Sequence, residues 1–378
     1  MKILLLPLFW SLWFLNFSSR TALSPLLPII EEELALTHAM AGSFFIFLSI
    51  GHTTSLLLAG FLSPRTGYKR AIVIGLLIMS IAHFFLRLAE SYWFLAVSVL
   101  FVGMGTGIYM PSIIPIITAT FDRQKWGRTI ALHDTAASFS IFAVPTLVAI
   151  SLRFFHWRTL FLILSGACLA GLIFFWLFSP DPRAQKEERA RLIDVLWRKD
   201  FWVMAILWIF AVAANIGVYN VIPLFLVKER GMPLELANTI FGVSRVGGLF
   251  MALLAGFLAD RYGAKKILLL AFLITGTATI GLALAREFTF LLVMLFLQAT
   301  VSLGFFPVGL LAASKLTTFK ERSTFTGASM ALGVILGVGL TPVVLGKVAD
   351  IWNFQIGILV LGILTVFSTL SLKALKGI

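Results

Sequence analysis

Charge is what this sequence has least of. Only 12% of its 378 residues are Asp, Glu, Lys or Arg, and acids are scarcer than bases, 17 against 30. A soluble domain carries about a quarter charged residues, so this chain has too little polar surface to coat a water-soluble globule. Cysteine is nearly absent as well. Cys168 stands alone in an apolar run, which excludes a disulfide framework and a cysteine-based metal site. No His-Glu-x-x-His pair, no Gly-x-x-x-x-Gly-Lys phosphate loop and no credible Ser/His/Asp set occurs. An enzyme, a cofactor and a metal are therefore not expected. Long polar stretches are missing too, apart from one near the middle.

What the chain has instead is apolar length. It is 60% hydrophobic, with a mean hydropathy of +1.00. A membrane-spanning helix needs about 20 mainly apolar residues to cross about 30 Å of hydrocarbon. The pattern predicts an all-α membrane protein of twelve helices, over about 3–30, 37–62, 70–88, 92–121, 127–152, 157–178, 201–227, 234–259, 265–285, 289–315, 322–348 and 351–372. Met1-Lys2 leads into the first helix without a small-x-small cleavage site, so that helix reads as a span, not a signal peptide. A short acidic loop, Glu31–Glu33, is expected after it.

A net charge of +13 could suggest nucleic acid. The basic residues cluster instead in alternate loops, as they do on the cytoplasmic side of membrane proteins. With the N-terminus inside, 21 Lys and Arg fall in cytoplasmic loops and 7 outside, while Arg20 and Arg245 lie within helices. Both termini are therefore expected in the cytoplasm of a cell that holds the protein in its inner membrane. The lipid bilayer is the expected partner, nucleic acid is not, and a monomer is expected.

One stretch occurs twice. Leu57–Leu62 is identical to Leu253–Leu258 at an offset of 196 residues, and Arg65, Gly67 and Lys69 match Arg261, Gly263 and Lys265 at the same offset. Pro111 maps onto Pro307 at 196 and Pro145 onto Pro342 at 197. A repeat near half the chain length implies a duplicated architecture, here with both halves in the same orientation. The expected organisation is a six-helix bundle over 1–179, a cytoplasmic linker over 180–199 that lies on the membrane surface, and a second bundle over 200–378. Gly103-Met-Gly-Thr-Gly107 lies inside an apolar helix and reads as small-residue helix packing, not a nucleotide loop.

The repeated loop, Gly256-Phe-Leu-Ala-Asp260-Arg261-Tyr-Gly263-Ala-Lys265 in its fuller copy, resembles the signature loop of the major facilitator superfamily of transporters. The resemblance extends to helix number, central linker and duplication. It implies two six-helix bundles in pseudo-symmetric relation that rock around a central cavity. It also implies a conformational latch built on Gly60, Arg65, Gly67, Gly256, Asp260, Arg261 and Gly263. The first copy has Pro64 where the acid should stand. Pro64 is read as a helix terminator, as a missing latch charge, or as both. The resemblance also departs in helix 4, where Val99 stands in the place of an Arg that proton-coupled members often carry.

Charges inside the membrane are costly, by about 2.5–3.5 kcal/mol on insertion scales, and are functional candidates by default. Arg20 either faces a cavity, with Asn16, Ser19 and Ser24 on the polar side of its helix, or snorkels to the outer interface. Arg245 sits near mid-helix with Asn238 two turns away, too deep to snorkel. In the resembled family, carriers of monocarboxylates, oxalate or nitrate place an anion-binding Arg on this helix. A guanidinium fork matches paired oxygens, so a small-molecule anion, of carboxylate type, is the expected substrate. His133 and Asp134 are candidates for proton coupling, since His titrates near neutrality; Asp134 reads equally as a charge partner for an Arg. Asn215 and Tyr219, one turn apart, either line the cavity or bond between helices. Asn220, His52 and Gln298 stay open between packing and lining. Anion symport driven by a proton gradient is the leading expectation. A proton-antiport exporter of lipophilic or cationic compounds is the alternative, and a non-transporting sensor is one of another class.

Overall fold

The computed structural model describes residues 2–182 and 192–375. Its helices, numbered here by span, are α1 (Lys2–Thr21 and Leu23–Glu33), α2 (His38–Thr66), α3 (Tyr68–Arg87), α4 (Tyr92–Gly107 and Tyr109–Thr120), α5 (Trp126–Ser151) and α6 (Trp157–Phe178). The second set is α7 (Lys199–Val212, Ala213–Gly217, Val218–Lys228), α8 (Leu234–Val243 and Val246–Tyr262), α9 (Ala264–Leu284), α10 (Phe288–Val301, Ser302–Gly304, Phe305–Leu316), α11 (Phe319–Leu332, Gly333–Leu340, Thr341–Ile351) and α12 (Phe354–Ser368, Thr369–Ala374). Among the described residues, eleven of these stretches, α2 to α12, are long and apolar enough to span a membrane. No strand occurs among the described residues. The expected linker helix is represented by a single described turn, Leu192–Leu196; residues 183–191 lie outside the described part.

The chain divides into two compact units, residues 1–36 with 43–186, and residues 37–42 with 187–378. Each has its own core. In the first, Phe9, Trp13, Ile72, Tyr109 and Ile113 pack together. In the second, Trp208, Phe272, Phe305 and Phe325 do so. Lipid is as apolar as these side chains, so burial adds little between spans, and close van der Waals packing carries association. Glycine supplies that closeness between α2 and α4. A Cβ at Gly103 would overlap the Leu48 carbonyl, one at Gly51 the Leu100 carbonyl, and one at Gly107 the His52 carbonyl.

Several helices expected to be continuous are broken. α1 breaks at Ala22 and resumes at Leu23; Pro25, four residues after Thr21, has no N–H for the Thr21 carbonyl. α4 breaks at Ile108, beside the Gly107 carbonyl that Pro111 leaves unpaired. α10 tightens at Ser302–Gly304 ahead of Pro307, and α11 widens into a π-helix over Gly333–Leu340 ahead of Pro342. α7 holds a π-helix at Ala213–Gly217 and then stays helical through Pro223 to Lys228. α8 breaks without any proline. The Ser244 hydroxyl donates to Phe241 O at 2.7 Å, and Arg245 N–H donates to Gly242 O at 3.0 Å, so the turn is drawn in at Arg245.

Two further expectations are corrected. Pro64 does not end α2, whose backbone stays helical to Thr66. Glu31–Glu33 are not a loop but the last turn of α1, with Glu31 buried. At 32 residues and about 1.5 Å per residue, Lys2–Glu33 is longer than the hydrocarbon is thick.

The repeat shows in the hydrogen bonds. Gly67 and Gly263 both take φ near +90°, at 97° and 90°, where a Cβ would be strained. Lys69 Nζ donates to Ser179 O and Lys265 Nζ donates to Leu375 O, each at 2.7 Å. Both donor and acceptor shift by the same 196 residues. In each unit the lysine of the loop thus caps the carboxyl end of the unit's sixth helix, where exposed carbonyls attract a cation.

Candidate functional site

In the first unit the polar groups gather on α1 against α2, α4 and α5. Asn16 and Arg20 are one turn apart and share a face of α1. Asn16 Nδ2 donates to Thr106 O at 3.0 Å, at the turn where α4 is about to break. The Thr106 hydroxyl donates to Gly103 O at 2.8 Å, so His52 Nδ1, 3.0 Å from that hydroxyl, is the donor between them. Asn16 Oδ1 and Arg20 Nε are buried and unpartnered. The Arg20 guanidinium lies over the Phe17 ring at 3.9 Å and near Trp13 at 5.8 Å. It lines a small cleft with Ser19, and the remaining walls, Leu23, Leu48, Leu86, Val99, Val102 and Phe161, are apolar. Among the described residues no carboxylate reaches it.

One and two turns below lies an aromatic stack. Trp13 packs flat on Tyr109, with centroids 5.2 Å apart, and on His133 at 5.7 Å. The Tyr109 hydroxyl donates to Phe9 O at 2.9 Å and lies 3.1 Å from His133 Nε2. Its one proton being committed to Phe9, Nε2 carries the histidine hydrogen, and the buried Nδ1 is left with an unpartnered lone pair. Asp134 points away, as adjacent helical residues must, and accepts from Trp13 Nε1 at 3.2 Å. The arginine partner expected for Asp134 is not what it contacts.

In the second unit the π-helix of α7 is the organising feature. A π turn leaves carbonyls without their usual i+4 donors. Gln298 Nε2 of α10 donates to Ala214 O, and Arg245 Nη2 of α8 donates to Asn215 O at 3.2 Å. Asn215 Nδ2 donates to Ser302 Oγ at 2.6 Å. The Arg245 guanidinium lies over the Tyr219 ring at 4.6 Å, and Phe241 packs on that ring at 4.2 Å. Arg245 is 3% exposed and Gln298 and Asn238 are fully buried. Gly247 and Gly248 let α8 close on Thr300 and Leu303 of α10, since a Cβ on either glycine would overlap those side chains. No carboxylate pairs with Arg245 among the described residues.

Of the residues singled out in the sequence, Arg245, Asn215 and Tyr219 thus share one neighbourhood, and Asn16 and Arg20 share another, while Asn238 is buried two turns from Arg245 on α8. His133 and Asp134 meet through Trp13. Thr106 and Ser302 went unnoticed, because a lone hydroxyl in an apolar helix most often bonds its own backbone. At the repeated loop, Asp260, Arg261 and Arg65 are exposed, and Arg261 lies 5.4 Å from the Tyr262 ring. A Cβ at Gly256 meets nothing within 4 Å, so packing does not require glycine there.

Two units of broken apolar helices, each with an arginine set inside a helix, describe a multi-pass membrane protein. A family model described as Major Facilitator Superfamily matches residues 9–285 and 222–376, and the chain belongs to that family. It is similar to the membrane sensor protein UhpC of Escherichia coli (strain K12), 22% identical over 92% of this chain and 85% of that protein. It is similar also to a hexuronate transporter of Bacillus subtilis (strain 168), 23% identical over 71% of this chain and 69% of that one. Among solved structures, a bacterial homologue of the human lysosomal transporter Spinster shares the fold with a TM-score of 0.86, at 15% identity over 99% of this chain and 96% of that one.

Proposed function

We propose that this chain is a secondary active transporter of a small organic anion, with a carboxylate as the bound group and a proton as the coupled ion. The observation that carries this reading is a pair of guanidinium groups, Arg20 and Arg245, set inside apolar helices with no carboxylate partner among the described residues. A buried charge left uncompensated costs several kcal/mol, about 3–5 when its partner is removed. An anionic substrate supplies the missing charge, and arginine's fork suits its paired oxygens. The hexuronate carrier among the relatives is a transporter of an acid by its name, which agrees with this reading.

Asn215 and Tyr219 fix the Arg245 side chain and shape what reaches it; Asn16 and Asn238 do so from their own helices. The proton is taken at His133, whose Nδ1 is unpartnered, or at Asp134, which faces Trp13 on the other side. The repeated loop, through Gly60, Arg65, Gly67, Gly256, Asp260, Arg261 and Gly263, acts as the conformational latch. The protein works as a monomer in the inner membrane with both termini in the cytoplasm and two bundles joined by the 180–199 linker.

The test is uptake of labelled carboxylates into proteoliposomes under an inward proton gradient. Arg245→Ala is expected to abolish uptake while the purified variant keeps its elution profile. Undiminished uptake by Arg245→Ala would sink the anion reading. A second reading, a ligand sensor on the same fold, is favoured by one observation, the similarity to UhpC over nearly the whole chain. It predicts carboxylate binding with no accumulation inside the vesicles.

A further inference from the structure

Gln298 is the buried polar group that the transport reading leaves unused. It projects from α10 into the place where α7 and α8 meet, and it is fully buried. Its amide nitrogen must face the Ala214 carbonyl, because only the nitrogen can donate there. That fixes the oxygen on the other side, and Oε1 has no partner. Arg245 binds the very next carbonyl, that of Asn215, and its Nε likewise has no partner. Two adjacent carbonyls of one π turn therefore anchor two side chains, one with an unsatisfied acceptor and one with an unsatisfied donor. The close approach at Gly247 and Gly248 brings together α8 and α10, the helices that carry them.

These two atoms ask for different things. A carboxylate or any other oxyanion can accept from Arg245 Nε. It has no hydrogen to give Gln298 Oε1, and an amide oxygen facing an anion would repel it. A buried amide acceptor left unmade costs about 1–3 kcal/mol, so a bare anion leaves the site half satisfied. A ligand that carries a hydroxyl next to its acid group satisfies both. The first unit, taken by itself, shows the same pairing. Asn16 Oδ1 and Arg20 Nε are buried, unpartnered and one helical turn apart.

We infer that Gln298 is a specificity-determining residue that accepts a hydrogen bond from a substrate hydroxyl, so that the transported anion is a hydroxylated carboxylate. The inference rests on the anion reading above and narrows it. The binding energy is divided between the two side chains: Arg245 holds the acid and Gln298 selects the hydroxyl. A site built to bind a hydroxyl rejects the analogue lacking it, because the amide oxygen is then left unpaired.

The experiment uses the purified full-length protein and three matched pairs of probes: lactate and propionate, malate and succinate, gluconate and hexanoate. Affinity is read by thermal shift and by competition in proteoliposomes. For at least one pair, the hydroxylated member is expected to bind about tenfold or more tightly than its deoxy partner. In Gln298→Met, which keeps length and apolar bulk, the ratio is expected to fall to near one. A merely structural role for Gln298 would weaken both members alike and leave the ratio standing, which overturns the inference. Should the variant not fold, the wild-type ratios decide: equal affinities within every pair overturn it too. Binding of both members without discrimination sinks only this inference. Binding of neither, in protein that does bind amines, sinks the anion reading beneath it.

Discussion

At the scale of single residues, backbone obstacles decide what can be changed. Gly103 stands with a carbonyl where its side chain would go, and the carbonyl belongs to a helix that cannot step aside without moving its neighbours. Overpacking of a close core costs about 1–3 kcal/mol. Gly103→Val is therefore expected to lower the melting temperature of the detergent-solubilised protein clearly, whereas Gly127→Val, where a Cβ meets nothing, leaves it unchanged. Equal melting of the two variants would contradict the packing described for α2 and α4. Arg20 and Arg245 were legible in the sequence because a full charge inside an apolar run has few innocent explanations. Gln298 was not, since an uncharged amide in a membrane helix serves packing and binding equally often. What sets it apart is an acceptor atom without a donor, and that depends on which carbonyls a π turn leaves open.

At the scale of elements, helix number and the loop repeat could be read directly, but the breaks could not. Proline marks that a helix will yield, and the yielding occurs up to a turn or more upstream, where packing allows it. The break in α8 has no proline to announce it. The end of α1 went the same way: three glutamates looked like a loop, yet Glu33 stays helical because it finds partners on α6. It accepts from Trp157 Nε1 and from Arg158, with His156 Nε2 3.5 Å away. Arg158 also donates to Ala89 O at 2.7 Å, which ties the end of α3 into the same knot. In the second unit Glu229, which is 196 residues on, accepts from the backbone N–H groups of Phe354 and Gln355. Partial burial pushes the Glu33 carboxyl up, but the hydrogen bonds from Arg158 and Trp157 and the charges of Arg158 and His156 outweigh it and hold it below the usual range. A lowered carboxylate stabilises the fold above its unfolded value, about 4.3, and loses that effect as pH falls through the folded value. The wild-type melting temperature should therefore fall more steeply than that of Glu33→Gln as pH drops from about 5 to about 3. Parallel slopes would mean that the ion pair contributes nothing.

At the scale of the whole molecule, the distribution of basic loops makes a claim about sidedness. Cys168 is buried, so it should leave the background silent to thiol reagents. Single cysteines introduced into a Cys168→Ser protein at Glu90 and Glu287, on loops expected outside, should react with an impermeant maleimide in intact cells. Cysteines at Lys125 and Lys320, expected inside, should react only after lysis. The reverse pattern would invert the topology. Burial varies between spans: α6 is among the least covered, and α7 is the enclosed helix whose irregularity builds the polar neighbourhood.

The π-helix of α11 coincides with a change in the offset between the two halves. Lys69 and Lys265, Pro111 and Pro307, and Ser179 and Leu375 are all related by 196 residues, yet Pro145 and Pro342 are related by 197. α5 holds no π segment, and α11 holds one just ahead of its proline. A turn that closes over five residues instead of four is how a helix absorbs one extra amino acid without turning its remaining faces away from their neighbours. At Pro342 the second half runs one residue longer than the first, and by Leu375 the offset has returned to 196, so the wide turn lies where the extra residue has to be accommodated.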